Sequence, residues 1–230
     1  MSRTYAIPDL HGRADLLDLA IEAIATRTRA QAATVVLLGD YVNKGPASAD
    51  VIARLVAGLD PAWRAVFLKG NHDGFMLDAL LNRRMLPLWL DNSGAATLRS
   101  YAPKSDRVPD LAIVPAEHRA WLARLQLLFV DAHRIYVHAG VDPSKPLDAQ
   151  DEATLLTKRY AADDGSGHGA HHVVHGHNPF RDGPKLFAGR SDLDTMAWQT
   201  GRLVIGVFDD ETPGGPIDFI TVKGQPFEQG

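Results

Sequence analysis

Short apolar segments that each end in a polar cluster are the strongest constraint on how this chain folds. The first three, at residues 5–7, 34–38 and 65–68, are typical of buried strands, and helical patterns at residues 15–30 and 48–59 separate them. This alternation of strand and helix predicts parallel strands joined by right-handed crossovers. The sequence therefore predicts an α/β protein that begins with parallel strands.

Residues 74–125 interrupt this alternation with a mostly helical pattern. Within it, Pro87 is expected to break a helix, and the polar, proline-containing residues 102–115 are interpreted as a loop. We interpret the whole segment as a helical excursion beside the sheet, within a single domain of residues 1–230. Ser48 is predicted to cap the second helix.

Strand-like segments return after the helical excursion, at residues 135–138, 173–175, 203–208 and 217–222. The turn signal at residues 212–216 predicts that the last two pair as antiparallel strands.

Composition excludes several kinds of site. The chain has no cysteine, which excludes disulfides, thiolate nucleophiles and cysteine-bound clusters. Its 24 Lys and Arg against 28 Asp and Glu give a net charge of −4, so we expect no nucleic-acid partner.

No segment reaches the roughly 18–20 apolar residues of a membrane span. No basic segment followed by an apolar one precedes the first strand, so a cytoplasmic protein is expected. The oligomeric state stays open.

Five polar clusters follow or close the predicted strands. Because the carboxyl ends of parallel strands meet at one crevice, we expect their Asp, Asn and His side chains to converge. These side chains suit divalent first-row metals. Two carboxylates and three imidazoles are more ligands than one tetrahedral site uses. A single cluster of this kind is more often a turn, but five in this order favour two metal ions sharing a ligand. The clusters are Asp9-Leu10-His11, Gly39-Asp40, Gly70-Asn71-His72-Asp73, His138-Ala139-Gly140 and Gly176-His177.

These clusters, with residues 41–45 and 89–101, resemble the motifs of the calcineurin-like metallophosphoesterases. Within that family the chain looks most like the bacterial Ser/Thr-phosphatase and diadenosine tetraphosphatase branch, and the resemblance runs nearly end to end. It implies an α/β sandwich of two mixed β-sheets face to face, with helices outside and a dimetal site at the strand ends.

The resemblance also implies a ligand set for two divalent metals. Manganese is the first candidate, with Fe, Zn, Ni, Co or Mg as alternatives. A hydroxide bridging the metals would attack phosphorus in line, while the metals offset the phosphoryl charge. The implied ligands are Asp9 and His11 for the first metal, Asp40 for both, and Asn71, His138 and His177 for the second.

Further residues carry implied roles in the reaction. By the resemblance, His72 would protonate the leaving oxygen, and Lys44 and Arg159 would hold the phosphate. For Arg159 a solvated position on a helix is the alternative.

Two positions depart from the family pattern, which usually has Asp and Arg where this chain has Asn43 and Lys44. The family's Asp accepts a hydrogen bond from the catalytic histidine. Asn43 is expected to accept through its amide oxygen, but without a charge. Lys44 is a point charge where arginine offers a bidentate fork. Both changes are expected to weaken leaving-group protonation and phosphate binding, which favours phosphoanhydrides and aryl phosphates.

The sequence therefore predicts metal-dependent hydrolysis of phosphomonoesters or phosphoanhydrides. Two substrate classes stay open: a phosphoserine or phosphothreonine protein, and a nucleotide such as diadenosine tetraphosphate. The alternative from another class is a weakened protein that binds metal or phosphate without turnover. The His-rich residues 168–175 are interpreted as a polar loop that leads into a strand, in preference to a third metal site.

Overall fold

The computed structural model describes residues 2–228, and this part of the chain contains ten strands and eight helices. The strands are β1 (Arg3–Ile7), β2 (Ala33–Leu37), β3 (Trp63–Phe67), β4 (Leu128–Val130), β5 (Arg134–Val137), β6 (His172–His175), β7 (Lys185–Leu186), β8 (Arg190–Asp192), β9 (Arg202–Asp209) and β10 (Asp218–Lys223). The helices are α1 (Ala14–Thr28), α2 (Ser48–Val56), α3 (Asn71–Leu81), α4 (Leu86–Trp89), α5 (Ala95–Ser100), α6 (Ala116–Leu122), α7 (Glu152–Thr157) and α8 (Ala197–Thr200). None of these described helices is long and apolar enough to cross a membrane.

The first sheet has the strand order β10-β9-β1-β2-β3. Strands β1, β2 and β3 are parallel, as the alternating pattern predicts, and Ile7, Leu37 and Phe67 are aligned across them. Strands β9 and β10 form the predicted antiparallel pair. The aligned register places the residues that follow β1, β2 and β3 at one edge of the sheet.

The second sheet has the order β4-β5-β6-β8-β7, and β5, β6 and β8 are parallel. Strands β4, β7 and β8 carry no strand signal that the sequence analysis found. β8 reads Arg-Ser-Asp, and all three residues are buried; the side chains of Arg190 and Ser191 form hydrogen bonds inside the protein. A pattern based on apolar residues cannot detect such a strand.

The two sheets pack face to face through alternate residues of their strands. Ala6, Val36 and Val66 of the first sheet form one core cluster with Tyr136 and Val174 of the second. The opposite face of each sheet is covered by helices, which gives the predicted α/β/β/α sandwich. Ile7, Val35 and Leu37 pack in the cluster that includes α1 and α2, and Ile135, Val137 and Val173 pack with Leu155 of α7.

The helical segment beside the first sheet runs from α3 to α6. Its first helix begins at Asn71, inside a predicted polar cluster, and Pro87 lies in the first turn of α4, where a proline is tolerated. Trp89 at the end of α4 is fully buried in the core. The predicted cap at Ser48 is wrong: Ser48 is the first residue of α2, and its hydroxyl accepts a hydrogen bond from Thr97 at 3.3 Å.

Candidate metal centre

The carboxyl ends of five strands bring the polar clusters together at one edge of the sandwich. Asp9 follows β1, Asp40 follows β2, and Asn71 follows β3 at the start of α3. His138 follows β5, and His177 follows β6. The expected convergence of the clusters therefore arises from strand ends of both sheets.

Backbone strain is concentrated at this edge. Nine non-glycine residues of the described chain have positive φ angles, a backbone conformation that residues other than glycine rarely adopt. Five of the nine are residues that the sequence singles out for the site, which is where a protein tolerates strain for function. These five are His11 (φ 44°), Asp40 (φ 53°), Asn43 (φ 71°), Lys44 (φ 62°) and His177 (φ 66°).

Asp40 lies between two groups of histidines. Its Oδ2 atom is 3.3 Å from Nε2 of His11, and its Oδ1 atom is 3.6 Å from Nε2 of His138. The backbone N–H of His72 donates to Oδ1 at 2.9 Å and fixes the carboxylate. Burial opposes ionisation of Asp40, but the neighbouring histidines and Lys44 together hold its pKa below the usual range. The two oxygens therefore face two different ligand groups.

His11 presents a lone pair to the centre. Its Nδ1 atom donates to the carbonyl of Val42 at 2.9 Å, so the proton of the neutral ring is on Nδ1. Burial lowers the pKa of His11 well below its usual value, which keeps the ring neutral. The Nε2 atom, 4.0 Å from Oδ2 of Asp9, is then the acceptor atom that faces the centre.

His138 is held in the same way on the other side of Asp40. Its Nδ1 atom donates to the carbonyl of Leu38 at 3.0 Å, and its Nε2 atom lies 3.0 Å from Oδ1 of Asn71. With the ring neutral, these are two acceptor atoms that face each other without a hydrogen between them. Acceptors in this arrangement suit a cation that both can bind.

Within residues 2–228, two sets of ligand atoms lie close enough to hold a metal ion, and Asp40 belongs to both. One set is His11, Asp40 and His72, and the other is Asp40, His138 and His177, with all ligand atoms of a set within 4.8 Å of one another. Mixed imidazole and carboxylate donors of this kind fit first-row divalent metals.

Further acidic side chains are buried close to Asp40. Asp194 is buried, and burial raises its pKa to about 6. Burial, followed by the charges of Asp194 and Asp40, raises the pKa of Asp9 well above its usual value. The sequence analysis did not assign Asp194 a place in the site. Three carboxyl groups buried together favour a site that holds cations.

Two glycines allow the loops to approach these carboxylates. A Cβ atom on Gly176 would lie 2.1 Å from Oδ1 of Asp9, and one on Gly70 would lie 2.1 Å from Oδ1 of Asp40. Any side chain at either position would displace a carboxylate oxygen of the centre.

Asp73 joins two of the loops, a role that the sequence analysis missed. Its buried carboxylate accepts the backbone N–H groups of Asp40 at 2.7 Å, Tyr41 at 2.9 Å and Gly70 at 2.9 Å. These bonds tie the loop after β2 to the start of α3. The sequence signal that could have indicated this role of Asp73 is its position in the Gly70-Asn71-His72-Asp73 cluster.

The contact between Asn43 and His72 differs from the expected one. The amide nitrogen Nδ2 of Asn43, and not its oxygen, lies 2.8 Å from Nδ1 of His72. The same nitrogen donates to the carbonyl of Asn92 at 3.2 Å, and the amide oxygen accepts from the hydroxyl of Thr97 at 2.9 Å. Since a carbonyl only accepts, this network fixes the amide orientation. Nδ1 of His72 is then an acceptor, and its neutral ring carries the proton on Nε2.

The two predicted phosphate-binding cations lie near different metal-ligand groups. Lys44 places Nζ 2.8 Å from Nε2 of His11 and 5.6 Å from the ring centre of Trp198. Arg159 is exposed and donates to Oδ1 of Asn178 at 3.2 Å. Burial and the charge of His138, with a smaller contribution from Arg159, lower the pKa of His177 to about 3.

The His-rich segment forms a loop and a strand, as interpreted from the sequence. His168 and His171 face each other through two backbone hydrogen bonds of 3.0 Å. His172 and His175 are buried in β6.

The chain belongs to the calcineurin-like phosphoesterase family, whose model matches residues 2–206. It is 34% identical over 159 residues to a symmetrical bis(5'-nucleosyl)-tetraphosphatase of Nitrosospira multiformis, covering 66% of this chain and 49% of that protein. It is 37% identical over 144 residues to the Yersinia pestis protein of the same name, covering 61% and 43%. The chain thus spans about half the length of the curated relatives it matches.

Solved structures share the fold over nearly the whole chain. A candidate diadenosine tetraphosphatase superposes with a TM-score of 0.68 at 26% identity, covering 97% of this chain and 94% of that one. A metallophosphoesterase from Sphaerobacter thermophilus superposes with a TM-score of 0.59 at 17% identity, covering 97% and 89%. The second likeness concerns the fold alone. The expected two-sheet sandwich and the expected family are both confirmed.

Replacing Gly176 with alanine tests the close approach of the loop to Asp9. We expect Gly176→Ala to lower the affinity for Mn²⁺ by about 10- to 100-fold, because the methyl group displaces a ligand oxygen. The measurement is titration calorimetry with Mn²⁺. Gly74→Ala is the matched control, since its Cβ would lie an ordinary 3.6 Å from Leu156. Equal affinities in the two variants would contradict the role given to Gly176.

Proposed function

We propose that this protein is a dimetal-dependent phosphohydrolase that acts on phosphoesters or phosphoanhydrides. The observation that carries the proposal is the position of Asp40, whose two carboxylate oxygens face His11 and His138 separately. A carboxylate placed between two ligand groups is suited to bridge two cations. Membership of the calcineurin-like phosphoesterase family supports the same activity.

The ligand assignment that we propose follows the two sides of Asp40. Asp9 and His11 hold one cation, and Asn71, His138 and His177 hold the other. Manganese is the proposed metal, since the carboxylate oxygens of Asp9 and Asp40 and the amide oxygen of Asn71 suit it. Two such cations supply a nucleophile from water at neutral pH and offset the charge of the phosphoryl group.

Three further side chains are proposed to act on the substrate itself. Lys44 lies beside His11 and binds a phosphoryl oxygen through its single ammonium group. Arg159 lies beside His177 and binds two phosphoryl oxygens through its planar guanidinium group. His72 donates the proton on Nε2 in a hydrogen bond to the leaving oxygen. A neutral imidazole is a weaker acid than an imidazolium, so this donor gives limited help to a strongly basic leaving group.

The substrate class that we propose is a nucleotide with a phosphoanhydride bond. A phosphate leaving group needs little protonation, in contrast to the alkoxide of phosphoserine or phosphothreonine. The donation from Asn43 to Nδ1 of His72 therefore supports the anhydride over the protein substrate. Relatives named symmetrical bis(5'-nucleosyl)-tetraphosphatase support the same class.

Metal add-back to stripped protein tests the proposed activity. We expect hydrolysis of p-nitrophenyl phosphate on addition of Mn²⁺, with Mg²⁺, Co²⁺, Ni²⁺ and Zn²⁺ compared one at a time. Asp40→Asn is expected to lower the rate by about a hundredfold or more, because it removes the charge shared by both cations. Release of p-nitrophenolate measures the rate.

The matched control is Asp50→Asn, which removes an exposed carboxylate of α2 and should leave the rate unchanged. Binding of Mn²⁺ without turnover of p-nitrophenyl phosphate or a phosphoanhydride would favour a binding protein over an enzyme.

Replacing Asn43 with aspartate tests the leaving-group argument. In Asn43→Asp, a carboxylate accepts from Nδ1–H of His72 and stabilises the protonated ring. We expect the rate with an alkyl phosphate to rise about tenfold or more relative to the rate with an aryl phosphate. The measurement compares kcat for the two substrates in both proteins.

Asn92→Asp is the control for this change, since it adds the same charge at an exposed neighbour whose backbone carbonyl accepts the hydrogen bond from Asn43. An unchanged ratio of alkyl to aryl rates in Asn43→Asp would show that leaving-group protonation does not depend on this position.

A further inference from the structure

A cavity of about 520 Å³ opens beside the candidate metal centre, next to the loop that carries His177. Its walls come from residues 159–162, from the loop 178–180 and from the β7–β8 hairpin. A volume of this size is within the range of small-molecule sites in proteins. The sequence analysis gave no role to this part of the chain except Arg159.

The cavity is connected to the metal centre through its lining residues Asn178 and Phe180. Asn178, in its wall, directly follows His177 and accepts a hydrogen bond from Arg159 at 3.2 Å. The N–H of Phe180 donates to the backbone carbonyl of Asp194 at 3.0 Å. Asp194 in turn packs against the loop that carries His177, since a Cβ atom on Gly176 would lie 3.9 Å from Cβ of Asp194 and 2.1 Å from Oδ1 of Asp9. Phe180 is thus held at a fixed position relative to the centre.

The lining combines aromatic rings with positive charge. Phe180, Phe187 and Tyr160 supply rings, Arg159 and Lys185 supply charge, and the lining contains no acidic residue. Phe180 is 36% exposed, and Nζ of Lys185 lies 5.6 Å from its ring centre. Lys185 also forms an ion pair with Asp182, whose side chain is 77% exposed, at 2.6 Å. An exposed pair of this kind leaves the lysine available to a ligand at little cost.

The inner wall is rigid. The guanidinium of Arg190 lies 3.6 Å from the ring centre of Phe187 and 4.4 Å from that of Tyr160, so it contacts both rings. Its Nε atom donates to the carbonyl of Asp164 at 2.6 Å, and Nη1 contacts Nε2 of His175 at 3.2 Å. A preformed wall binds a flat ligand without the entropic cost of ordering side chains.

Two other cavities of the described chain differ in position or in charge. One of about 630 Å³ lies between α1 and β10, on the helical side of the first sheet, and none of the predicted site residues lines it. One of about 440 Å³ touches Asn71, but Asp78 and Glu152 in its lining disfavour a phosphorylated ligand. The cavity beside His177 therefore fits an aromatic group attached to a phosphate.

We propose that the cavity beside His177 binds the nucleobase of the substrate, which stacks on Phe180 while Arg159, in the same lining, holds the phosphoryl group at the metal centre. This proposal rests on the proposed function, because it takes the metal centre as the place of the reacting phosphate. It adds a specificity site for nucleoside phosphates that the metal ligands alone do not provide. Base stacking on an aromatic side chain tolerates any base, so the site selects nucleotides as a class.

Kinetics with two substrates test this site. Phe180→Ala is expected to lower kcat/KM for diadenosine tetraphosphate about tenfold, the usual effect of losing one stacking contact. The value for inorganic triphosphate, a phosphoanhydride that has neither a nucleoside nor an aromatic ring, is expected to change by less than about twofold. Leu186→Ala is the matched control, since Leu186 is 53% exposed in β7, next to Lys185, and does not line the cavity.

Equal losses on the two substrates, or no loss on either, would overturn the proposal. A selective loss with a phosphotyrosine peptide and none with the dinucleotide would assign the cavity to a peptide side chain, and would also overturn it. If no metal supports turnover, calorimetry of AMP binding to the metal-loaded protein tests whether the cavity binds a nucleobase. In that case AMP binding that Phe180→Ala weakens about tenfold keeps the cavity proposal while the proposed function fails. Absence of AMP binding to the unchanged protein overturns the cavity proposal.

Discussion

The rest of the site depends on the position of one buried carboxylate, that of Asp40, between two groups of ligand atoms. Asp40 faces His11 with one oxygen and His138 with the other, and each imidazole is fixed by a bond from Nδ1 to a backbone carbonyl. The Nε2 atoms of both histidines and the oxygens of Asp40 are then all hydrogen-bond acceptors, and no hydrogen lies between the histidine nitrogens and the carboxylate. Positive charge stabilises such a cluster; Lys44, with Nζ 2.8 Å from Nε2 of His11, supplies part of it, and the proposed cations would supply the rest.

The fold supplies this arrangement by joining strand ends from two sheets and holding the loops under strain. Positive φ angles occur at His11, Asp40 and His177, and Gly70 and Gly176 leave no space between loop backbone and carboxylate. Asp73 ties the loop after β2 to α3 with three hydrogen bonds, so the strain cannot relax locally. The geometry around Asp40 is thus preorganised by backbone contacts, which costs stability but fixes the ligand atoms.

Much of this was accessible from the sequence because the signals are local. Apolar strands followed by polar clusters predict the first sheet and the edge where Asp9, Asp40 and Asn71 meet. The polar strand β8 gave no signal, since its pairing depends on contacts with distant residues. The orientation of the Asn43 amide was predicted wrongly for the same reason: it is set by Thr97 and by the carbonyl of Asn92, more than forty residues away. Cavities formed by separate loops, such as the one at Phe180, are likewise invisible to pattern and spacing.

The most direct test of the bridging position of Asp40 is anomalous X-ray diffraction from crystals of the protein grown with Mn²⁺. The account predicts two manganese peaks about 3.5–4 Å apart, the usual separation in two-metal sites, with one oxygen of Asp40 bound to each or one oxygen shared. His11 would lie at one peak and His138 at the other. A single peak, or two peaks of which only one contacts Asp40, would contradict the account.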